Sequence, residues 1–285
     1  MKRFIDILCT LEPGKGCETA LERAVTLAEN NQANLTVITV APSISSGIGM
    51  PEGGPISTEL QDATVNSHKQ ELENIVEPYR QRIKIVTRVL IGTPFLEIIR
   101  EVLRNAHDLV IKCPESPNWL DRLFSSDDKH LLRKCPCPIW MVRPQSGESF
   151  DRILAAVDVD DSYPSKELKT RQALNGMVME LACSLAMSEF AQLHIAHAWE
   201  VIGESGLRHG AFMQLPEDEV NAYVDKVLRH HAQLLDTLMK EVSAKLSQDA
   251  IDYIKPQLHM PKGAARKVIP ELSKELQVDC IVMGT

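Results

Sequence analysis

No apolar run in this chain approaches the roughly 18 residues that a membrane-spanning helix needs. Its first residues, Met1-Lys2-Arg3-Phe4-Ile5-Asp6, place an acid where a secretory signal requires an unbroken apolar stretch. Positive charge is in short supply too: 31 Lys and Arg against 39 Asp and Glu leave a formal charge of −8. That balance disfavours a generic nucleic-acid backbone binder, which needs a concentrated basic face to release counterions. The local basic clusters, Arg80-Gln81-Arg82-Ile83-Lys84 and Lys129 to Lys134, read as solvated faces. Seven irregularly spaced cysteines give no disulfide framework. Missing as well are a Ser-His-Asp order, a His-Glu-x-x-His pair and a Walker lysine loop, so no motif points positively to catalysis. These absences leave a cytoplasmic, two-domain globular chain of 285 residues, 44% hydrophobic and 25% charged.

What is present is a long-period repeat. Gly92-Thr93-Pro94 opens a helical stretch leading to His107-Asp108-Leu109-Val110-Ile111-Lys112, and Gly263-Ala264-Ala265 does the same before Val278-Asp279-Cys280-Ile281-Val282-Met283, 171 positions later. A spacing this long means two copies of a whole domain rather than a solenoid. Phe4 to Thr10 aligns with Arg152 to Asp158 at a spacing of 148, and Ala33-Asn34-Leu35 with Ala191-Gln192-Leu193 at 158. The second copy therefore has longer segments after its first strand and before its Gly-Ala-Ala helix.

Within each copy, short apolar runs alternate with amphipathic stretches. The first reads as strands at Phe4–Cys9, Leu35–Val40, Ile83–Leu90, Leu109–Lys112 and Ile139–Val142, with helices at Cys17–Asn30, Glu59–Val76, Phe95–Asn105 and a helical region at Leu120–Lys134. The second reads as strands at Ile153–Val157, Leu193–Ala198, Ile251–His259 and Cys280–Met283. Its longest helix carries Val220, Tyr223, Val227, Leu234, Leu238 and Val242 on one face. Such alternation implies a mostly parallel sheet covered on both faces in each half. The domains are expected at 1–144 and 150–285, joined by the polar linker Pro144 to Ser149.

These pieces resemble the universal stress proteins in their tandem form. The residues that carry the resemblance are Val157-Asp158, the Gly263-led helix, Asp279 to Gly284, and His130-Leu131-Leu132-Arg133-Lys134-Cys135-Pro136-Cys137-Pro138 followed by Ile139-Trp140-Met141-Val142-Arg143. The resemblance implies two Rossmann-like domains of the adenine nucleotide alpha hydrolase type, each with strand order 3-2-1-4-5. It places a ligand cleft between strands 1 and 4, where the order reverses. In nucleotide-binding members the acid ending strand 1 meets adenosine, and a glycine loop after strand 4 wraps the phosphates. By that comparison Val157, Asp158, Ala198, Met283, Gly284 and Thr285 are candidate contacts for ATP, with magnesium carried by the nucleotide. The first half has Thr10 aligned with the acid and Lys112-Cys113-Pro114-Glu115-Ser116-Pro117 in place of the glycine loop, so it is expected to be degenerate. The second copy stops after its fourth strand, and the rest of the phosphate loop, a helix and a fifth strand are expected beyond Thr285. The family also implies a cytoplasmic stress-response role and self-association through Ile139-Trp140-Met141-Val142, left exposed by the missing partner strand.

Other constellations have two readings each. Asp158-Val159-Asp160-Asp161 either helps hold magnesium or forms a solvated loop that caps the next helix. Cys135-Pro136-Cys137 is either a thiol switch or half a metal site, or else a structural lead-in to the last strand; it lacks the two-residue spacer of zinc hairpins. His194 and His197 point to opposite strand faces and cannot chelate one metal, and His230-His231 reads as surface or core-edge. Trp119, Leu120, Leu123 and Phe124 line an apolar cavity or pack on the sheet. The binding-protein reading is set against a slow ATP-hydrolysing or phosphate-transferring enzyme, whose only nearby acids would be Asp158, Asp160 and Asp161.

Overall fold

The computed structural model describes residues 4–12, 18–44, 54–114, 127–144, 147, 149–210, 215–245 and 253–285. It divides into two compact units, built on Arg3–Glu148 and Ser149–Gly284. Among the described residues no helix is long and apolar enough to cross a membrane.

The first unit runs β1 (Asp6–Thr10), α1 (Glu18–Asn31), β2 (Asn34–Ala41), α2 (Pro55–Val76), β3 (Ile85–Ile91), α3 (Pro94–Asn105), β4 (Leu109–Lys112), α4 (Asp127–Lys134) and β5 (Ile139–Met141). Its five strands are parallel in the order β3-β2-β1-β4-β5. Period-two alternation divides the strand residues between two cores. Ile7, Cys9 and Leu11 bury against α1 and α2 with Leu21, Val25 and Val76. Leu8, Ile38 and Val110 face Ile98 and Val102 of α3 and Leu131 of α4.

The second unit runs β6 (Arg152–Ala156), α5 (Ser165–Glu189), β7 (Gln192–Ala196), α6 (Glu204–His209), α7 (Glu217–Lys245), β8 (Gln257–His259), α8 (Ala265–Glu275) and β9 (Cys280–Met283). Its parallel order β8-β7-β6-β9 repeats the first four places of the other sheet. The strand expected from Ile251 is limited to Gln257–His259 among the described residues. The face of α7 also differs from expectation: Tyr223 is exposed, and His231 joins Val220, Leu235, Leu238 and Val242 in the buried set. The reason is the 3.6-residue turn, which brings a different set of side chains under the sheet over 29 residues than a seven-residue count selects.

Backbone detail bears out the duplication. Gly92 and Gly263, 171 apart, both hold a positive φ, +142° and +131°, which admits glycine with little strain. Ala106 and Gln277 share a left-handed conformation near +55° at the same spacing, as do Gln32 and Phe190 at 158. Asp108 accepts hydrogen bonds from the amides of Ile5 and Asp6, and Asp279 from those of Asp151 and Arg152.

The register corrects one alignment. Ile7 pairs with Leu35 and Leu109, whereas Ile153 pairs with their counterparts Leu193 and Cys280, so β1 and β6 correspond at a spacing of 146 rather than 148. The amides of Leu11 and Val157, donating at 2.9 Å to Ile38 and Ala196, mark the same equivalence. A short apolar strand aligns almost equally well two residues out of step, because side-chain facing has period two. In consequence Glu12, not Thr10, stands where Asp158 does.

Candidate functional site

The place to examine is the carboxyl end of each sheet where the strand order reverses, since strand ends there diverge and leave a crevice. In the second unit that is the junction of β6 and β9. Ala156 pairs with Met283, which sets Val157 beside Gly284 and Asp158 just beyond. The acid and the glycine, far apart in sequence, thus reach one mouth.

Asp158 is held by its backbone and engaged by its side chain. Buried Asn175 on α5 accepts from the Asp158 amide at 3.0 Å and donates to its carbonyl at 2.7 Å. The carboxylate accepts from Arg171 Nη1 at 2.6 Å, and the Arg171 guanidinium lies 3.5 Å over the Tyr163 ring. Glu167, Arg171 and Asn175 recur every four residues, so one face of α5 supplies this set. Sequence reading missed Arg171 and Asn175; their four-residue spacing was the available signal.

Beneath the same loop are two buried histidines. His197 Nε2 lies 2.9 Å from His231 Nδ1, and His197 Nδ1 lies 3.2 Å from the Val157 carbonyl. Burial pushes the His197 pKa down from the usual histidine value. His194, on the other face of β7, lies 3.0 Å from His259, and burial lowers its pKa as well. Of the expected surface or core-edge pair, His231 is therefore the buried core-edge member and a hydrogen-bonding partner, and His230 is exposed. Among the described residues no group of three or more His, Cys, Asp or Glu side chains is arranged to hold a metal ion.

The remaining candidates take distinct places. Val157 is buried, and Ala198 packs with Leu154, Ala196 and Ile269 in the core on the α8 face. Met283 is half exposed and Thr285 exposed. A side chain at Gly284 would meet Leu174 of α5, whose Cδ2 lies 2.3 Å from an ideal Cβ, so any larger residue there has to displace the Leu174 side chain. The acids of the 158–161 loop have separate partners: Asp158 has Arg171, Asp160 accepts from the Ser162 amide, and Asp161 meets His230 at 2.9 Å. Burial would raise the Asp160 pKa, but its hydrogen bonds with Ser162 and the nearby His231 and His197 outweigh that and hold it low. The expected helix cap is not seen, because Pro164 occupies the N-cap of α5 without a side-chain bond.

Alongside this mouth, past the ends of β7 and β8, a groove of about 410 Å³ is lined by Glu200, Glu204, Arg208, His209, Lys262 and Gly263. Glu204 receives Lys262 and Arg208 at 2.6 and 3.1 Å, and the Lys262 hydrogen bond keeps its pKa low.

In the first unit the equivalent mouth contains an ion cluster. Lys112, the last residue of β4, is buried with its ammonium 2.5 Å from the buried Asp128 carboxylate and 3.7 Å from Glu12. The ammonium is thus matched by two carboxylates of its own unit. Trp119, Leu120, Leu123 and Phe124, and the segment from Glu115, lie outside the described residues.

A parallel 3-2-1-4-5 sheet, repeated as 3-2-1-4, with an acid at each switch point defines the tandem universal-stress-protein-like class of α/β proteins. Residues 4–143 match the model of the universal stress protein family, so the first unit is a domain of that family. It is 26% identical over 292 residues to Universal stress protein E of Salmonella typhi, an alignment covering 100% of this chain and 86% of the relative. It is also 26% identical to the Universal stress protein E homolog of Haemophilus influenzae, over 99% of this chain and 88% of that protein. A solved structure of a functionally unknown Pseudomonas aeruginosa PAO1 protein shares the fold at TM-score 0.63 and 22% identity, over 99% of this chain and 82% of that one. A universal stress protein from Archaeoglobus fulgidus DSM 4304 does so at 0.58 and 15%, over 98% and 86%.

Proposed function

We propose that this is a cytoplasmic stress-response binding protein whose second unit takes an adenine nucleotide, ATP with its magnesium, at the mouth between β6 and β9. The observation that carries the reading is the placement of the Asp158 carboxylate at the switch point, with its backbone clamped by Asn175 and Gly284 one strand away. A carboxylate there suits ribose hydroxyls, and Arg171 supplies a cation within reach of phosphate oxygens. The first unit acts as a partner domain, because Lys112 already satisfies the acids at its mouth. Binding rather than turnover fits the site, since each nearby acid is engaged by a cation, a histidine or an amide instead of being poised as a base. The edge strand β5 is the surface through which copies of the chain would associate.

Isothermal titration with magnesium-ATP on the whole protein tests the reading. Saturable heat that falls at least tenfold in affinity in Asp158→Ala supports it. Equal heats from both proteins, or none, reject it; ATP turnover lost in Asp158→Ala with binding retained would replace it by the enzyme reading.

A further inference from the structure

In the first unit, the turn between α4 and β5 carries two thiols that the proposed function does not use. Cys135 and Cys137 are both half buried, and their sulfurs lie 3.7 Å apart. Closing them to a disulfide requires about 2.0 Å, a change that side-chain rotation and a small turn adjustment bridge. Pro136 between them and Pro138 after them fix two backbone φ angles, so the turn keeps both sulfurs on one side with little entropy left to lose. The turn is anchored at both ends: the Cys135 amide donates to Leu131 at the end of α4, and Val110 donates to Pro138 as β5 begins. Cys9, Cys113 and Cys183 are buried by contrast, and burial pushes the Cys183 thiol up to about 11.

We propose that Cys135 and Cys137 are a reversible dithiol–disulfide couple that is oxidised by hydroperoxides. The Cys135 thiolate attacks the hydroperoxide, the O–O bond breaks, and Cys135 becomes a sulfenic acid as the other fragment leaves as an alcohol, or as water from hydrogen peroxide. The Cys137 sulfur then attacks Cys135, the S–O bond breaks, and water leaves. Two thiols lose two protons and two electrons, and the peroxide is reduced by two electrons. The hydrogen bond from the Cys137 thiol draws the Cys135 pKa down to about 7, which gives a nucleophilic fraction near neutral pH. A ring closed across a single proline is strained, and strained disulfides are the easily reduced, regulatory kind. Oxidation would stiffen the lead-in to β5, the edge strand that pairs with β4 from Val110 to Lys112.

The test is peptide mass mapping of the intact chain after hydrogen peroxide and alkylation of remaining thiols. A Cys135–Cys137 peptide lighter by two hydrogens, and restored by dithiothreitol, is expected. Free thiols at both positions, sulfinic acid at Cys135 without a linked peptide, or a link between two copies would overturn the proposal. A second readout does not depend on oxidation: iodoacetamide should modify Cys135 at pH 7 roughly tenfold more slowly in Cys137→Ala, as its thiolate fraction falls. An unchanged rate would remove the pairing on which the couple depends. Neither readout involves nucleotide, so failure here leaves the ATP reading untouched.

Discussion

Glu12 and Asp158 occupy the same place in the two units, one residue beyond Leu11 and Val157, and each faces a cation drawn from a different element. Glu12 meets Lys112 of β4 at 3.7 Å, whereas Asp158 meets Arg171 of α5 at 2.6 Å. The difference matters because Lys112 is buried and already shared with Asp128, while Arg171 and Asp158 are about one-third and two-fifths exposed. The first mouth's cation is held in a buried cluster of its own, whereas the ion pair of the second stays open to solvent.

If Arg171 competes with ribose for Asp158, Arg171→Ala should tighten the binding of adenosine, which has no phosphate. Exposed pairs are worth at most about 1 kcal/mol, so the gain is up to roughly fivefold. Titration of adenosine into both proteins measures it, and weaker binding by the variant would show that Arg171 helps rather than hinders the nucleoside.

Lys112→Ala leaves Asp128 buried without its ammonium and should lower stability by about 3–5 kcal/mol. Lys112→Met combined with Asp128→Leu removes both charges and should recover most of that. Urea denaturation followed by fluorescence compares them; equal losses in the single and double variants would contradict the ion-pair account.

Gly263 combines a φ of +131° with Val268 Cγ1 only 2.9 Å from an ideal Cβ. Gly263→Ala is therefore expected to cost about 1–3 kcal/mol. Gly176, inside α5 with no atom within 4 Å of its added Cβ, should behave oppositely, gaining about 0.5–1 kcal/mol as alanine. Thermal unfolding of the two variants should shift in opposite directions.

His194 and His197 have folded-state pKa values below the ordinary 6.5. The unfolded chain then binds more protons than the folded one just under that value, so stability is full above pH 6.5 and declines as pH falls toward the folded values. Asp160, held low, acts in the same direction but only below its ordinary 3.8, outside this window. Melting temperatures measured from pH 7 down to about pH 5 should fall in the parent and fall less in a His194→Asn, His197→Asn variant; parallel curves would exclude these histidines.

The architecture was legible because it rests on local patterns. The Gly92 and Gly263 turns, the Asp108 and Asp279 strand caps, and the period-two runs of β1, β4 and β9 all show in short windows. The site was legible only in part. Asp158 and Gly284 could be picked out, but Gly284 also answers to Leu174, and Arg171, Asn175 and His231 come from helices whose rotation about their axes no local pattern specifies. The placement of Thr10 failed for a different reason: a slip of two residues leaves every strand side chain on its proper face.

By itself the sequence determined that two α/β units recur and that the second bears an acid at the end of its first strand, since hydrophobic period and glycine conformation are properties of neighbouring residues. Only the tertiary structure decided which cation each acid meets, how the histidines pair and how near the two sulfurs of the 135–137 turn lie, because those contacts depend on register and helix rotation set by core packing.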